Sequence, residues 1–160
     1  MIAFCFYFPT SYSFKGVVMK TTLVNEKDIT RKWYIVNASG KTLGRMAVKI
    51  ANLLRGRNKA FFAPHQDLGD FVIVINAKEV KLTGKKEEQK IYRSFSGYGD
   101  GLREHPASFI RERVPERLIK DAVRRMLPKN RLMRQVFCRL KVYAGSEHPH
   151  SAQKPETIEI

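Results

Sequence analysis

The chain has 160 residues, 43% of them hydrophobic, which fits one domain with an apolar core and excludes a wholly disordered tail. Lys and Arg number 30 against 15 Asp and Glu, and the net charge of +15 points to a polyanionic partner, nucleic acid ahead of an anionic membrane surface. Two cysteines, Cys5 and Cys138, form no C-x-x-C pair, which argues against a disulfide scaffold or zinc ribbon and fits a reducing compartment.

Residues 1–18, "MIAFCFYFPTSYSFKGVV", are aromatic, nearly uncharged and interrupted by Pro9. The first cation, Lys15, comes too late for the basic leader of a secretory signal, arginines of a transit peptide are missing, and the apolar run is too short to cross a bilayer. The expectation is that the functional chain begins at Met19. Residues 1–18 are then a non-native or disordered extension, with a short targeting segment as the alternative, and residues 19–160 form a single domain.

Trp33 to Val36 reads as a strand and Asn37 to Thr42 as a turn. From Leu43 a helix is predicted, with Leu43, Met46, Ala47, Ile50, Ala51, Leu53 and Leu54 at helical spacing and Gly56 at its end. Arg45, Lys49 and Asn52 lie on its other face. Gly40-Lys41-Thr42 matches the tail of a nucleotide-binding loop, G-x-x-x-x-G-K-[ST], but the first glycine of that motif falls on Ile35, inside the strand. Without it the backbone lacks the nest of N–H groups that wraps a phosphate chain. A helix start behind a tight turn still favours an anion, and Lys41, Thr42, Arg45 and Lys49 are candidate contacts.

The next stretch, "RGRNKAFFAPH", mixes the candidate contacts Arg55, Arg57, Asn58, Lys59 and His65 with Phe61 and Phe62, which are expected in the core. Asp67 and Asp70 stand close to His65, yet an Asp-Gly pair before a strand builds a turn and no nucleophile accompanies it. Asp70 is expected to cap local backbone or hold a nearby arginine. "DFVIVINA", residues 70–77, is a β-branched run that predicts a strand buried on both faces.

Residues 78–95 predict short strands around a turn at Gly84, with Lys85, Lys86 and Arg93 as candidate contacts. Phe95 is read as core, and "SGYGDG", 96–101, as a loop carrying Tyr98 as a further contact. A helix is expected near Ser108–Arg113, and a stronger one from Pro115 to Leu127. Its apolar face is Leu118, Ile119, Ala122, Val123, Met126 and Leu127; Arg117, Lys120 and Arg124 point the other way, and Pro128 ends it. Arg125, Lys129, Arg131, Arg134, Arg139 and Lys141 extend the basic run with no acid between Lys129 and Lys141. Such a run repels itself and is expected to be held loosely until phosphates neutralise it. "LKVYAG", 140–145, predicts a strand or extended segment. His148 and His150, at i and i+2 without a Cys or carboxylate cluster, are read as nucleic-acid contacts and not as a metal site.

The charge is concentrated. Residues 41–66 hold six Lys/Arg and no acid, and residues 103–141 hold twelve against four, while 67–102 balance. Cations interleaved with glycine turns and aromatic rings suit RNA, whose phosphates take Lys and Arg and whose unpaired bases stack on rings. Strands alternating with helices predict an α/β domain with a mostly parallel sheet and helices on both sheet faces.

Taken together and in this order, "GKTLGRMA", "LLRGRNKAFFAPHQDLGDFVIVINA", "LTGKK", "MLPKN" and "LKVYAGSEHPH" resemble the bacterial-type large-subunit ribosomal protein L-thirteen family from about Trp33 to the C-terminus. The resemblance implies a three-layer α/β/α fold with a four-stranded sheet. It also implies a non-enzymatic structural protein that binds 23S ribosomal RNA, touches neighbouring ribosomal proteins and joins the large subunit early in assembly, in the cytoplasm. No catalytic residue, metal, cofactor, small-molecule substrate or membrane contact is implied. An RNA-binding translational regulator acting off the ribosome is the alternative. The sequence departs from the family pattern at Ser94 and Phe95, where arginine and histidine are usual, at Asp100, in a loop that is often Pro-Gly-Gly, and at Met133, where glycine is usual.

Overall fold

A computed structural model describes Val24 and residues 29–159; the expected start at Met19 and the nature of residues 1–18 lie outside the described residues. In chain order the elements are β1 (Trp33–Asn37), α1 (Leu43–Arg55), β2 (Phe71–Ile75), α2 (Lys86–Gln89), β3 (Ile91–Phe95), β4 (Leu102–Pro106), α3 (Ala107–Arg113), α4 (Pro115–Met126), α5 (Arg131–Phe137), β5 (Leu140–Val142) and β6 (Glu156–Thr157). Single 3₁₀ turns occupy Ala77–Glu79 and Ser151–Gln153.

The main sheet has four strands in the order β5-β2-β1-β6, all parallel. Its register places Val36 beside Val74 and Val74 beside Val142, so these side chains share one face. On that face they join Met46, Ile50 and Leu54 of α1, Ile119 and Val123 of α4, and Met133 and Val136 of α5 in one buried cluster. Full burial of a side chain such as Ile50 or Leu54 stabilises the fold by about 1.5–3 kcal/mol. The steps β1→β2 and β2→β5 run in the same direction across the sheet. Right-handed connections therefore carry α1 and then α3–α5 over the same face.

The step from β5 back to β6 runs the other way, so its connection crosses the opposite face. There Trp33 stacks on Phe71, ring centroids 4.3 Å apart, and His150 lies 5.3 Å from Trp33. Tyr143 Oη and His150 Nε2 are 2.8 Å apart. Helices on both faces were the expectation; among the described residues the second face is covered by the 143–155 connection with its one 3₁₀ turn. At the far edge Lys32 Nζ donates to Glu156 Oε1 at 3.1 Å, which fastens β6 to the start of β1 and raises the Lys32 pKa, first through that hydrogen bond and then through the carboxylate's charge. The Tyr34 hydroxyl is also raised, by burial and then by the nearby charge of Asp70.

Helix α1 ends where predicted. Gly56 takes φ +74, and the N–H groups of Gly56 and Arg57 close back on Leu53 and Asn52. Gly69 answers a different need. A Cβ there would lie 1.8 Å from the carbonyl oxygen of Leu54, so only glycine lets the loop before β2 lie against the end of α1.

Several expectations are corrected. Residues 78–95 were expected to be short strands about Gly84, yet Lys86–Gln89 is a helical turn, with Glu87 and Glu88 in its first turn where the helix dipole favours carboxylates. β3 pairs instead across the glycine loop with β4, antiparallel, with Phe95 opposite Leu102 and Arg93 opposite Glu104. "LREHP" has no alternating apolar pattern, so β4 owes its conformation to that pairing. Met126 was expected to be buried but is 45% exposed: it is the last residue of α4 and falls outside the buried cluster that Ile119 and Val123 join.

The basic run after Pro128 was expected to be held loosely. It is anchored: Met133 and Val136 enter the core, and Asn130 caps α5 by accepting the Met133 N–H at 2.8 Å. Met133, a departure from the family pattern, is thus a core residue. Asn130→Ala is expected to lower unfolding free energy by about 1 kcal/mol in denaturant melts, since it removes that cap.

Candidate nucleic-acid interface

The candidate surface begins at the C-terminal end of β1. Gly40, at φ +67, turns the chain into α1. The segment after the first 3₁₀ turn then runs alongside: Lys81 N–H donates to Lys41 O at 2.9 Å, and Leu43 N–H donates to Lys81 O at 3.1 Å. This pairing gives a structural reason why no nucleotide loop forms here. The first helical N–H, which a phosphate nest would use, already has a backbone partner.

The same pairing brings Lys81 and the Gly84 turn up to α1. A groove of about 690 Å³ results, floored by Leu43, Leu82, Ala122 and Met126. Its cations are Arg45, Lys81, Lys86, Lys90 and Arg125, and among the described residues no carboxylate lines it. Thr42 sits at its end. Lys86 Nζ is steadied by Thr83 Oγ1 at 3.0 Å.

A second groove, of about 850 Å³, lies between β3 and the helices α4 and α5. Arg93, Arg117, Arg124, Arg125, Lys129 and Arg134 line it, together with Phe95 and Phe137. Among the described residues its one carboxylate is Asp121, paired with Arg117 Nε at 3.4 Å, and Arg93 pairs with Glu104 at 2.6 Å. Because Arg125 lines both grooves, they form one surface that carries, among the described residues, ten cations and a single lining acid.

Of the residues predicted from the sequence, Thr42, Arg45, Lys86, Arg93, Arg124, Arg125, Lys129 and Arg134 meet in these grooves. Lys49, Lys85 and Arg131 are exposed outside the groove linings, as is Tyr98 at the tip of the β3–β4 hairpin, 81% exposed. Lys41 is half-buried in the turn leading to the first groove.

A second set lies at the other end of α1, a helix about 20 Å long. Here several predicted contacts hold the fold together. Lys59 Nζ donates to the fully buried Asp70 at 2.7 Å and to the Thr30 carbonyl at 3.1 Å. Asp70, expected to hold an arginine, therefore holds a lysine, and it also accepts the Lys32 N–H at 3.1 Å. Arg139 grips both carboxylate oxygens of Asp67, donates to the Gly69 carbonyl and lies over the Phe71 ring. Arg55 lies over Phe62 at 5.8 Å. His148 accepts the His150 N–H at 3.2 Å, so both histidines are tied into the 143–150 turn. Arg57, Asn58 and His65 are exposed at this end, and Lys141 is half-buried on β5.

The sequence reading missed Lys81, Lys90 and Arg117 as groove residues. Lys81 and Lys90 flank the Gly84 turn, but only its pairing with Thr42 brings Lys81 to α1. Arg117 was placed on the polar face of α4 without a partner surface. Phe95, read as core, is 68% exposed on the rim of the second groove. Among the described residues no group of three or more His, Cys, Asp or Glu is placed to hold a metal ion, and no helix is long and apolar enough to cross a membrane.

The sequence profile of the family described as "Ribosomal protein L13" matches residues 31–149. The chain is 56% identical over 143 residues to the large ribosomal subunit protein uL13 of Thermotoga maritima, covering 89% of this chain and 96% of that protein. It is 55% identical over 138 residues to the uL13 protein of Thermosipho africanus, covering 86% and 93%. With that of a Synechocystis strain it shares 51% over 141 residues, covering 88% and 93%.

Proposed function

We propose a role that starts from one fact: the chain belongs to the ribosomal protein L13 family. It is a protein of the large ribosomal subunit and not an enzyme. Within that subunit, on our reading, it binds 23S ribosomal RNA through the two joined grooves, touches neighbouring ribosomal proteins and supports early subunit assembly, in the cytoplasm. The observation that carries the reading is the charge of the grooves: among the described residues, ten cations with one lining carboxylate that is already paired. Such a surface is stable only when a polyanion or its counterions neutralise it, and a phosphodiester chain does so along its whole length.

Residues 19–160 are taken as the RNA-binding unit. The test is co-sedimentation with large subunits through a high-salt wash, alongside binding of a 23S RNA transcript at several salt concentrations. Retention on the subunit, with an affinity that falls linearly in log–log form as salt rises, is expected. Release in the wash with undiminished affinity for unrelated RNA would instead favour a regulator acting off the ribosome.

A further inference from the structure

The second groove has an exposed aromatic ring on its rim, which the first lacks. Phe95 is 68% exposed, a large apolar side chain left in water beside Arg93, Arg124 and Arg134. The backbone beside it is also open. Ser96 N–H donates to Gly101 O and Ala107 N–H donates to Lys90 O. In this antiparallel pair the even-numbered residues of β3 therefore bond to β4, and Arg93 and Phe95 direct their N–H and C=O groups to the other edge of the hairpin. No strand pairs with that edge among the described residues.

We propose that this groove takes an unpaired nucleotide, its base stacked on the Phe95 ring and its flanking phosphates on Arg124, Lys129 and Arg134. The inference rests on the RNA-binding reading above and names the form of RNA. A base inside a duplex is covered by its neighbours and cannot reach the ring; a base in a loop or bulge can. Charge decides against a protein as the occupant. Any protein pressed against Phe95 would desolvate several arginines, and the groove's single carboxylate is already engaged by Arg117.

The test uses the full chain with a 12-nucleotide single-stranded RNA carrying one 2-aminopurine, and the same strand in a 12-base-pair duplex. Phe95→Ala is expected to weaken single-strand binding roughly 5- to 100-fold, the range for losing one stacked base, and to leave duplex affinity within about twofold. Phe95→Trp should restore binding, and Phe95→Leu should not. The 2-aminopurine emission should be quenched by the wild type and not by Phe95→Ala.

Equal losses on both RNAs, no loss on either, or full binding by Phe95→Leu would overturn the proposal. So would unchanged RNA affinity together with loss of a ribosomal protein neighbour from purified subunits, which would make Phe95 a protein contact. If Phe95→Ala is silent while glutamine substitutions at the groove cations weaken both RNAs, this inference fails and the RNA-binding reading stands. If the wild type binds neither RNA nor the 23S transcript, both fail.

Discussion

Replacing Arg124, Arg125, Lys129 and Arg134 together by glutamine is expected to lower the magnitude of the salt slope for 23S RNA binding, log K against log salt, by about 2.8 to 3.6. Each phosphate contact contributes roughly 0.7 to 0.9 to that slope through counterion release. The four cations line the second groove, Arg125 reaching the first as well, and all four are exposed. Extrapolated from 1 M, the same change corresponds to an affinity loss on the order of 10³-fold at 0.1 M salt. The loss should be similar across RNA sequences, because phosphate contacts position an RNA without reading it. Stability should stay within about 0.5 kcal/mol, since exposed cations contribute little to folding. Filter binding across a salt series, with denaturant melts of the same proteins, checks both halves. An unchanged slope with a large stability loss would show that these side chains hold the helices together.

The reverse pattern is expected at Asp70. Its carboxylate is fully buried, accepts from Lys59 Nζ at 2.7 Å and takes the Lys32 N–H that precedes β1. Asp70→Ala strands an ammonium and an amide in a site with little water, and removing one member of a buried pair costs about 3–5 kcal/mol. Lys59 keeps 14% of its side-chain surface in contact with solvent, so part of its charge can be rescued, which puts the expectation at the lower end of that range. The Lys59→Met/Asp70→Leu double substitution should recover much of the loss without reaching wild type, because the Lys32 N–H stays unpaired. Urea melts of the wild type, Lys59→Met, Asp70→Leu and the double substitution measure the coupling, with Asp70→Ala melted alongside, and RNA affinity well below the melting temperature should move little. A loss under about 1 kcal/mol for Asp70→Ala, with no coupling in the cycle, would sink this account.

The opposite behaviour of these two groups of charges could not have been read from spacing. Lys59 and Arg139 sit in runs as basic as Lys129 and Arg134, and composition treats all four alike. What separates them is whether a buried or half-buried carboxylate lies within reach. Asp67 lies just before β2, 72 residues before Arg139, and reaches it only because β5 lies beside β2. Chain order hides such a pairing, since it depends on which strand ends are neighbours.

Other features were legible because their causes are local. Trp33–Asn37, α1 and its glycine stop, the β-branched strand at 71–75, α4 with proline in its first turn, and the strand at 140–142 all follow from periodicity and from the conformational limits of glycine and proline. So did the excess of cations and the failure of Gly40-Lys41-Thr42 as a nucleotide loop, which needed only Ile35. The α/β class and its parallel sheet followed from the alternation of these elements.

The tertiary structure alone decided the rest. β4 and β6 carry no strand signature and take their form from partners at β3 and β1. Met126 and Phe95, both expected in the core, are exposed, because the extent of the buried cluster along α4 and the open face of the hairpin are set by contacts between elements. The grooves themselves exist because residues 81–83 pack along the start of α1 and β3 stands off from α5. Local propensity and charge act over a few residues along the chain, whereas a binding surface is made from residues far apart in sequence, and only packing of the core brings them to one side of the molecule.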